Sequence, residues 1–211
     1  MTITIRSFDL PYQSYQLYDV TFFDDTIKTL VTTTPCIVDT WISDIQHLHH
    51  RRLHNLIVGL DVEWRPNNNN STNNPAATLQ LCVGRNCLVF QLIFAPEMPK
   101  SLVDFLADPD FTFVGVRIDG DVGKLKDDYG LEVRRTVDLG WLAARELGKR
   151  QLRNAGLVNL AREVIGKEFA KPRSVTLSNW DDWLSEDQIQ YACVDAFVSF
   201  EIGRCLNAAD V

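Results

Sequence analysis

The chain has 211 residues, 45% apolar and 23% charged, with 28 acids against 21 bases and a net charge of −7. That balance excludes an intrinsically disordered chain, and the acid excess speaks against a protein that coats nucleic acid through a broad basic field. No apolar run approaches the ~20 residues that cross a bilayer, and residues 1–9 carry no secretory pattern, so a soluble cytoplasmic protein is expected, with the nucleus as a second compartment.

Residues 15–23 are aromatic and β-branched, Asp24-Asp25 forms a turn, and residues 26–33 resume the strand pattern, which together read as a hairpin. Thr34-Pro35 opens a helix that buries Ile37, Val38, Trp41, Ile42 and Ile45 at helical spacing. The helix ends in a basic stretch containing His47, His49, His50, Arg51, Arg52 and His54. His50 and His54 are four apart, as metal ligands on a helix can be, but a solvated end whose cations suit the dipole is the favoured reading.

Residues 56–64 form a continuous apolar run with two acids near its end, the pattern of a strand buried on both faces. Residues 66–75, with six asparagines, read as a polar surface loop. Thr78–Val83 and residues 86–92 are short strands joined at Gly84-Arg85; residues 99–107 are a short helix and 111–118 another buried strand. From Gly120 onward the pattern is mostly helical. One amphipathic helix over 157–165 is closed by Gly166, and a capping box from Ser185 to Gln188 opens the last helix, which runs to about Leu206. Five or six strands interleaved with and followed by helices predict an α/β or α+β sheet in a single domain over 1–211. Residues 1–55 supply the N-terminal hairpin and helix, and residues 56–206 the core. Cys36, Cys82, Cys87, Cys193 and Cys205 form no C-x-x-C pair and have apolar neighbours, so they are expected as reduced core residues.

Three patterns place carboxylates where a core does not want them. Asp61 and Glu63, two apart on a strand, project from the same face; two such acids repel unless a proton or a cation intervenes, although a lone pair also fits an exposed strand end. Asp119 and Asp121 follow a buried strand, where acids either cap the next helix or bind metal. Tyr191 and Asp195, four apart, share a helical face among apolar neighbours, or else mark a half-exposed helix edge. Ionised together in one site, four carboxylates would cost several kcal/mol unless metal neutralised them. All-oxygen ligation selects Mg²⁺ or Mn²⁺. Two such ions about 3.5–4 Å apart suit phosphodiester hydrolysis, with a tyrosine hydroxyl to hold the water.

Asp61-x-Glu63, then Gly115-Val-x-Ile-x-x-Asp121-x-x-Lys124-Leu, then Tyr191-x-x-x-Asp195 resemble the three motifs of the DEDDy 3′–5′ exonucleases, the group of the Werner-type and RNase D-type domains. Leu79-Gln-Leu-Cys, Thr136-Val-Asp138-Leu and Leu177-Ser-Asn179-Trp180 accompany them, and the resemblance spans roughly residues 56–206. It implies an RNase H-like α/β fold, a mixed sheet of five or six strands flanked by helices. It further implies that Asp61, Glu63, Asp121 and Asp195 bind two Mg²⁺ or Mn²⁺ ions and that Tyr191 orients the attacking water. The implied reaction is metal-dependent removal of 3′-terminal nucleotides from single strands, RNA ahead of DNA, as 5′-monophosphates.

Asp121 is preferred to Asp119 because Lys124-Leu125 follows at the family's distance, and Asp138 is read as structural support near a helix start. Arg117 stands where Werner-type domains usually have a small residue. With Lys124, Lys171 and Arg173 it is a candidate phosphate contact, while Trp64 either stacks on a base or packs on the sheet. The resemblance is strongest to the small plant RISC-interacting clearing 3′–5′ exoribonucleases, which implies RISC or Argonaute partners and a ring-like homo-oligomer, a hexamer. A Werner-like DNA exonuclease and a non-catalytic RNase H-like module binding nucleic acid or protein are the alternatives.

Overall fold

Eight strands pair side by side in a computed structural model that describes residues 3–10, 14–66 and 73–211; residues 67–72, most of the asparagine-rich loop, lie outside the described residues. The strands are β1 (Thr4–Ser7), β2 (Tyr15–Phe22), β3 (Asp25–Thr32), β4 (Leu56–Glu63), β5 (Thr78–Val83), β6 (Asn86–Phe90), β7 (Phe111–Gly115) and β8 (Thr136–Asp138). Their order is β1-β2-β3-β6-β5-β4-β7-β8. The β3–β6, β4–β7 and β7–β8 pairs are parallel and the others antiparallel, so the sheet is mixed, as expected.

Six of these strands are visible in the sequence pattern. The other two, β1 and β8, are edge strands of four and three residues, too short to display a period of two. The strand expected over 111–118 ends earlier, at Gly115. Arg117 there adopts a left-handed conformation (φ 58°) and Ile118 already begins a helix.

Helices cover both faces. α1 (Pro35–Leu48), α2 (Lys100–Ala107) and α3 (Ile118–Tyr129) close one core with Leu56, Val58, Leu60 and Val62 of β4. α4 (Leu139–Glu146), α5 (Leu157–Ile165) and α7 (Glu186–Cys205) close the other; α6 (Arg173–Thr176) is a single turn ahead of α7. The predicted starts hold: Pro35 opens α1, and the Ser185–Gln188 capping box opens α7. Cys82, Cys87 and Cys193 are buried, whereas Cys36 and Cys205 are exposed, a correction to the expectation for all five. Both exceptions lie in end turns of helices, where an apolar neighbour in sequence need not be a neighbour in space.

The strand pleat sets up the site. Since Leu56, Val58, Leu60 and Val62 face the first core, Gly59, Asp61 and Glu63 must face the second, towards α7. α7 has no single apolar stripe, because fourteen of its twenty residues are buried, Tyr191 and Asp195 among them.

Candidate active site

The two acids of β4 meet α7 at its polar positions. Asp61, Glu63 and Asp195 each offer an oxygen within 4.8 Å of the others, and among the described residues they are the only group of three or more such ligands. Asp195 is almost fully buried, and Oδ2 of Asp61 is enclosed without a hydrogen-bond partner. Burial, then the charge of Asp195, pushes Asp61 up to about 7. Burial, followed by Asp61 and Asp195, holds Glu63 well above its ordinary range. Burial, followed by Asp61, pushes Asp121, on the first turn of α3, up to about 9. Asp121 therefore sits in the field of the cluster, while Asp119 is exposed and lines a cavity of about 610 Å³ with Val122, Lys126 and Arg134, away from the other acids.

An all-oxygen donor set, mutual repulsion and an orphaned buried oxygen together fit a hard divalent cation. A solvated cluster of acids would show neither the raised values nor the enclosed, unpartnered oxygen.

Tyr191 lies one helical turn before Asp195. Its hydroxyl accepts a hydrogen bond from Thr176 Oγ1 at 3.2 Å, and its ring packs against Trp180 with centroids 5.8 Å apart. Trp180 is fully buried, and Gln188 clamps the segment before it by donating to Ser178 Oγ at 2.9 Å and to the Asn179 carbonyl at 3.2 Å. The capping residue of α7 thus also fixes the wall behind the tyrosine. Burial, then Asp195, pushes the Tyr191 phenol up to about 12, which keeps it protonated at neutral pH.

Lys171, expected as a loop cation, reaches inward: its ammonium pairs with Asp195 Oδ2 and lies 4.7 Å from the centroid of the Tyr191 ring. Burial pulls its pKa down, but Asp195, Asp61 and Tyr191 outweigh that and hold it above the ordinary lysine value. Lys124 is also engaged, with Asp128 at 3.2 Å, with the Asn74 carbonyl and over the Trp64 ring at 5.3 Å. Trp64 is partly buried against the first core. Arg117 and Arg173 have exposed side chains, at the start of α3 and on α6. Asp138 accepts the backbone N–H groups of Arg117 at 2.6 Å and Trp141 at 2.8 Å, so it caps α4 and ties it to the residue that precedes α3. Thr176 was missed by the sequence reading: it lies in no motif, and only the fold brings it to Tyr191.

Residues 32–208 match the sequence profile of the 3′–5′ exonuclease family. A "3'-5' exonuclease" of Arabidopsis thaliana is 37% identical over 152 residues, 71% of this chain and 52% of the relative. The Arabidopsis "Protein RISC-INTERACTING CLEARING 3'-5' EXORIBONUCLEASE 1" is 30% identical over 103 residues, 49% of this chain and 51% of that protein. Among solved structures, the EXD2 exonuclease domain soaked in Mn superposes with a TM-score of 0.50 at 28% identity, covering 86% of this chain and 90% of that one. Escherichia coli RNase D shares the fold, with a TM-score of 0.66 at 20% identity over 85% of this chain and 44% of that one. The chain belongs to the 3′–5′ exonuclease family. It spans about half the length of these two curated relatives.

Proposed function

We propose that the chain is a metal-dependent 3′–5′ exonuclease that hydrolyses the terminal phosphodiester of single-stranded nucleic acid, RNA ahead of DNA, and releases nucleoside 5′-monophosphates. The observation that carries this reading is the convergence of Asp61, Glu63 and Asp195 within 4.8 Å, with Asp121 in their field and Tyr191 one turn away. Asp61, Glu63, Asp121 and Asp195 would hold two Mg²⁺ or Mn²⁺ ions, whose four positive charges offset the four carboxylates. When bound, such ions lower the pKa of water and neutralise charge developing on the phosphodiester.

The chain's own groups do the positioning. The Tyr191 oxygen accepts from Thr176 and its hydroxyl bonds to Asp195, which holds the phenol beside the acids where it would orient the attacking water. Because that phenol stays protonated, Tyr191 orients the water rather than taking its proton. Attack at phosphorus expels the 3′-oxygen of the preceding nucleotide, and the buried Trp180 behind Tyr191 keeps the phenol from swinging away.

The preference for RNA rests on the likeness to the RISC-interacting exoribonuclease. That likeness also underlies a proposed place in small-RNA turnover in the cytoplasm, with RISC or Argonaute as partner and a ring-like homo-oligomer as the working form. Light scattering of the purified protein tests the ring, and a monomer at micromolar concentration would exclude it. The activity is tested by incubating 3′-labelled and 5′-labelled RNA and DNA single strands with Mg²⁺, Mn²⁺ or EDTA. A shortening ladder from the 5′-labelled strand, immediate mononucleotide from the 3′-labelled strand, and silence in EDTA are expected. Degradation undiminished by EDTA would end the metal-dependent reading, a DNA-only ladder would favour the Werner-like alternative, and intact strands throughout would leave a binding module.

A further inference from the structure

The acids of the site are not left alone. Lys171 leaves the irregular segment between Gly166 at the end of α5 and Arg173 at the start of α6, and its side chain is 29% exposed against 3% for Asp195. The side chain is partly exposed, and its ammonium reaches the acids. There it holds Oδ2 of Asp195 and covers the face of the Tyr191 ring at 4.7 Å, both groups of the site described above. With Phe169, Val175 and Val194 these three residues line a cavity of about 190 Å³.

A single ammonium compensates four carboxylates only in part, and Asp61 Oδ2 still has no partner. Two divalent ions would neutralise all four acids, and a fifth positive charge in contact with Asp195 would then repel them. Lysine and metal also compete for the same ligand, because an ammonium on an oxygen occupies the approach a cation would take and repels it. From this geometry, and resting on the metal-dependent reading above, we infer that Lys171 is a tethered counter-cation. It fills the carboxylate cluster of the metal-free protein and is displaced from Asp195 when divalent metal enters. Lys171 is a positioning residue in this role: it fixes Asp195 and Tyr191 before the metal arrives and sets the metal concentration at which the site is completed.

Competition and mere structural support predict opposite signs. Calorimetric titration of Mn²⁺ into the parent, Lys171→Met and Lys171→Arg distinguishes them. Lys171→Met keeps the stem and removes the charge. It is expected to bind Mn²⁺ on the order of ten-fold more tightly than the parent, as removal of one nearby like charge at a partly buried site allows. Lys171→Arg should stay close to the parent. In EDTA, Lys171→Met should melt below the parent, and Mn²⁺ should raise its melting temperature by more than it raises the parent's. Equal or weaker Mn²⁺ binding by Lys171→Met would overturn the inference and leave a structural lysine. A second measurement needs no variant: acetylation of lysine amines, read by mass spectrometry, should modify Lys171 faster when Mn²⁺ is present, and unchanged or slower modification would equally overturn it. A parent that takes up no Mn²⁺ would instead overturn the metal-dependent reading itself, and the inference with it.

Discussion

Gly59 on β4 faces the carbonyl oxygen of Ala196 on α7, and a Cβ built on that glycine would collide with it. This contact lets the helix lie against the strand closely enough for Asp195 to reach Asp61 and Glu63. Gly59→Ala is therefore expected to push α7 outward, at a cost of about 1–3 kcal/mol for overpacking, and to weaken metal binding with it. Urea unfolding checks the first effect and Mn²⁺ titration the second; a variant with an unchanged midpoint would contradict the close approach.

Asp61→Asn removes a buried carboxylate whose Oδ2 has no hydrogen-bond partner. Without metal the variant should be more stable than the parent by about 1–2 kcal/mol, which for a domain of this size means a melting temperature several degrees higher, roughly 2–8 °C. Added Mg²⁺ should stabilise the parent by mass action and the variant far less. Asp121→Asn should lose part of the same metal response, and Asp119→Asn, at an exposed position, should keep it. Thermal scans in EDTA and in Mg²⁺ test all three.

The raised acids fix a pH dependence. Asp61 titrates near 3.8 when unfolded and about 7 when folded, so between these values the folded state binds the extra proton. The Asp61 contribution to the stability of the metal-free protein should then be full at about pH 4 and below and fall as pH rises to 7, by up to ~1.4 kcal/mol per pH unit for one proton. Asp121, at about 9, extends the decline to higher pH. Saturating metal should reverse the trend, because its ligands must be deprotonated. Urea midpoints at pH 5 and 7.5 in EDTA, for the parent and for Asp61→Asn, isolate the Asp61 contribution; a parent that gains stability over the variant across this range would contradict it.

Tyr191→Phe deletes the hydroxyl that Thr176 reaches at 3.2 Å and keeps the ring that packs on Trp180. The rate of nucleotide release should fall on the order of 10²-fold with little change in stability. Thr176→Val should cause a smaller loss in the same direction. Single-turnover assays on a 3′-labelled strand, alongside melting curves, check this, and a Tyr191→Phe protein with parental turnover would remove the tyrosine from the mechanism.

Trp180→Ala should be the most destabilising of these changes, at about 3–5 kcal/mol, since the indole is fully enclosed. Activity lost in parallel with stability, and restored at low temperature, would mark it as the wall behind Tyr191 rather than a group that meets substrate.

The pairing of Asp61 with Glu63 was legible in the sequence because a strand's period of two is obligatory, and so was that of Tyr191 with Asp195, because four residues make about one helical turn. The capping box of α7 and the proline start of α1 were legible for the same local reason. The edge strands β1 and β8 were not, since three or four residues display no period, and the end of β7 was set by one left-handed residue, Arg117.

What the sequence determined by itself was which side chains share a face. Which faces meet was decided by the tertiary structure, because it depends on close approaches such as Gly59 to Ala196 that no local spacing encodes. The same holds for Lys171 and Thr176. Each lies 15 residues or more from its nearest partner in the site, the ammonium 20 residues before Tyr191 and 24 before Asp195, the hydroxyl 15 before Tyr191. Only the path of the chain from α5 through α6 into α7 brings the lysine into the acids and the hydroxyl onto the phenol.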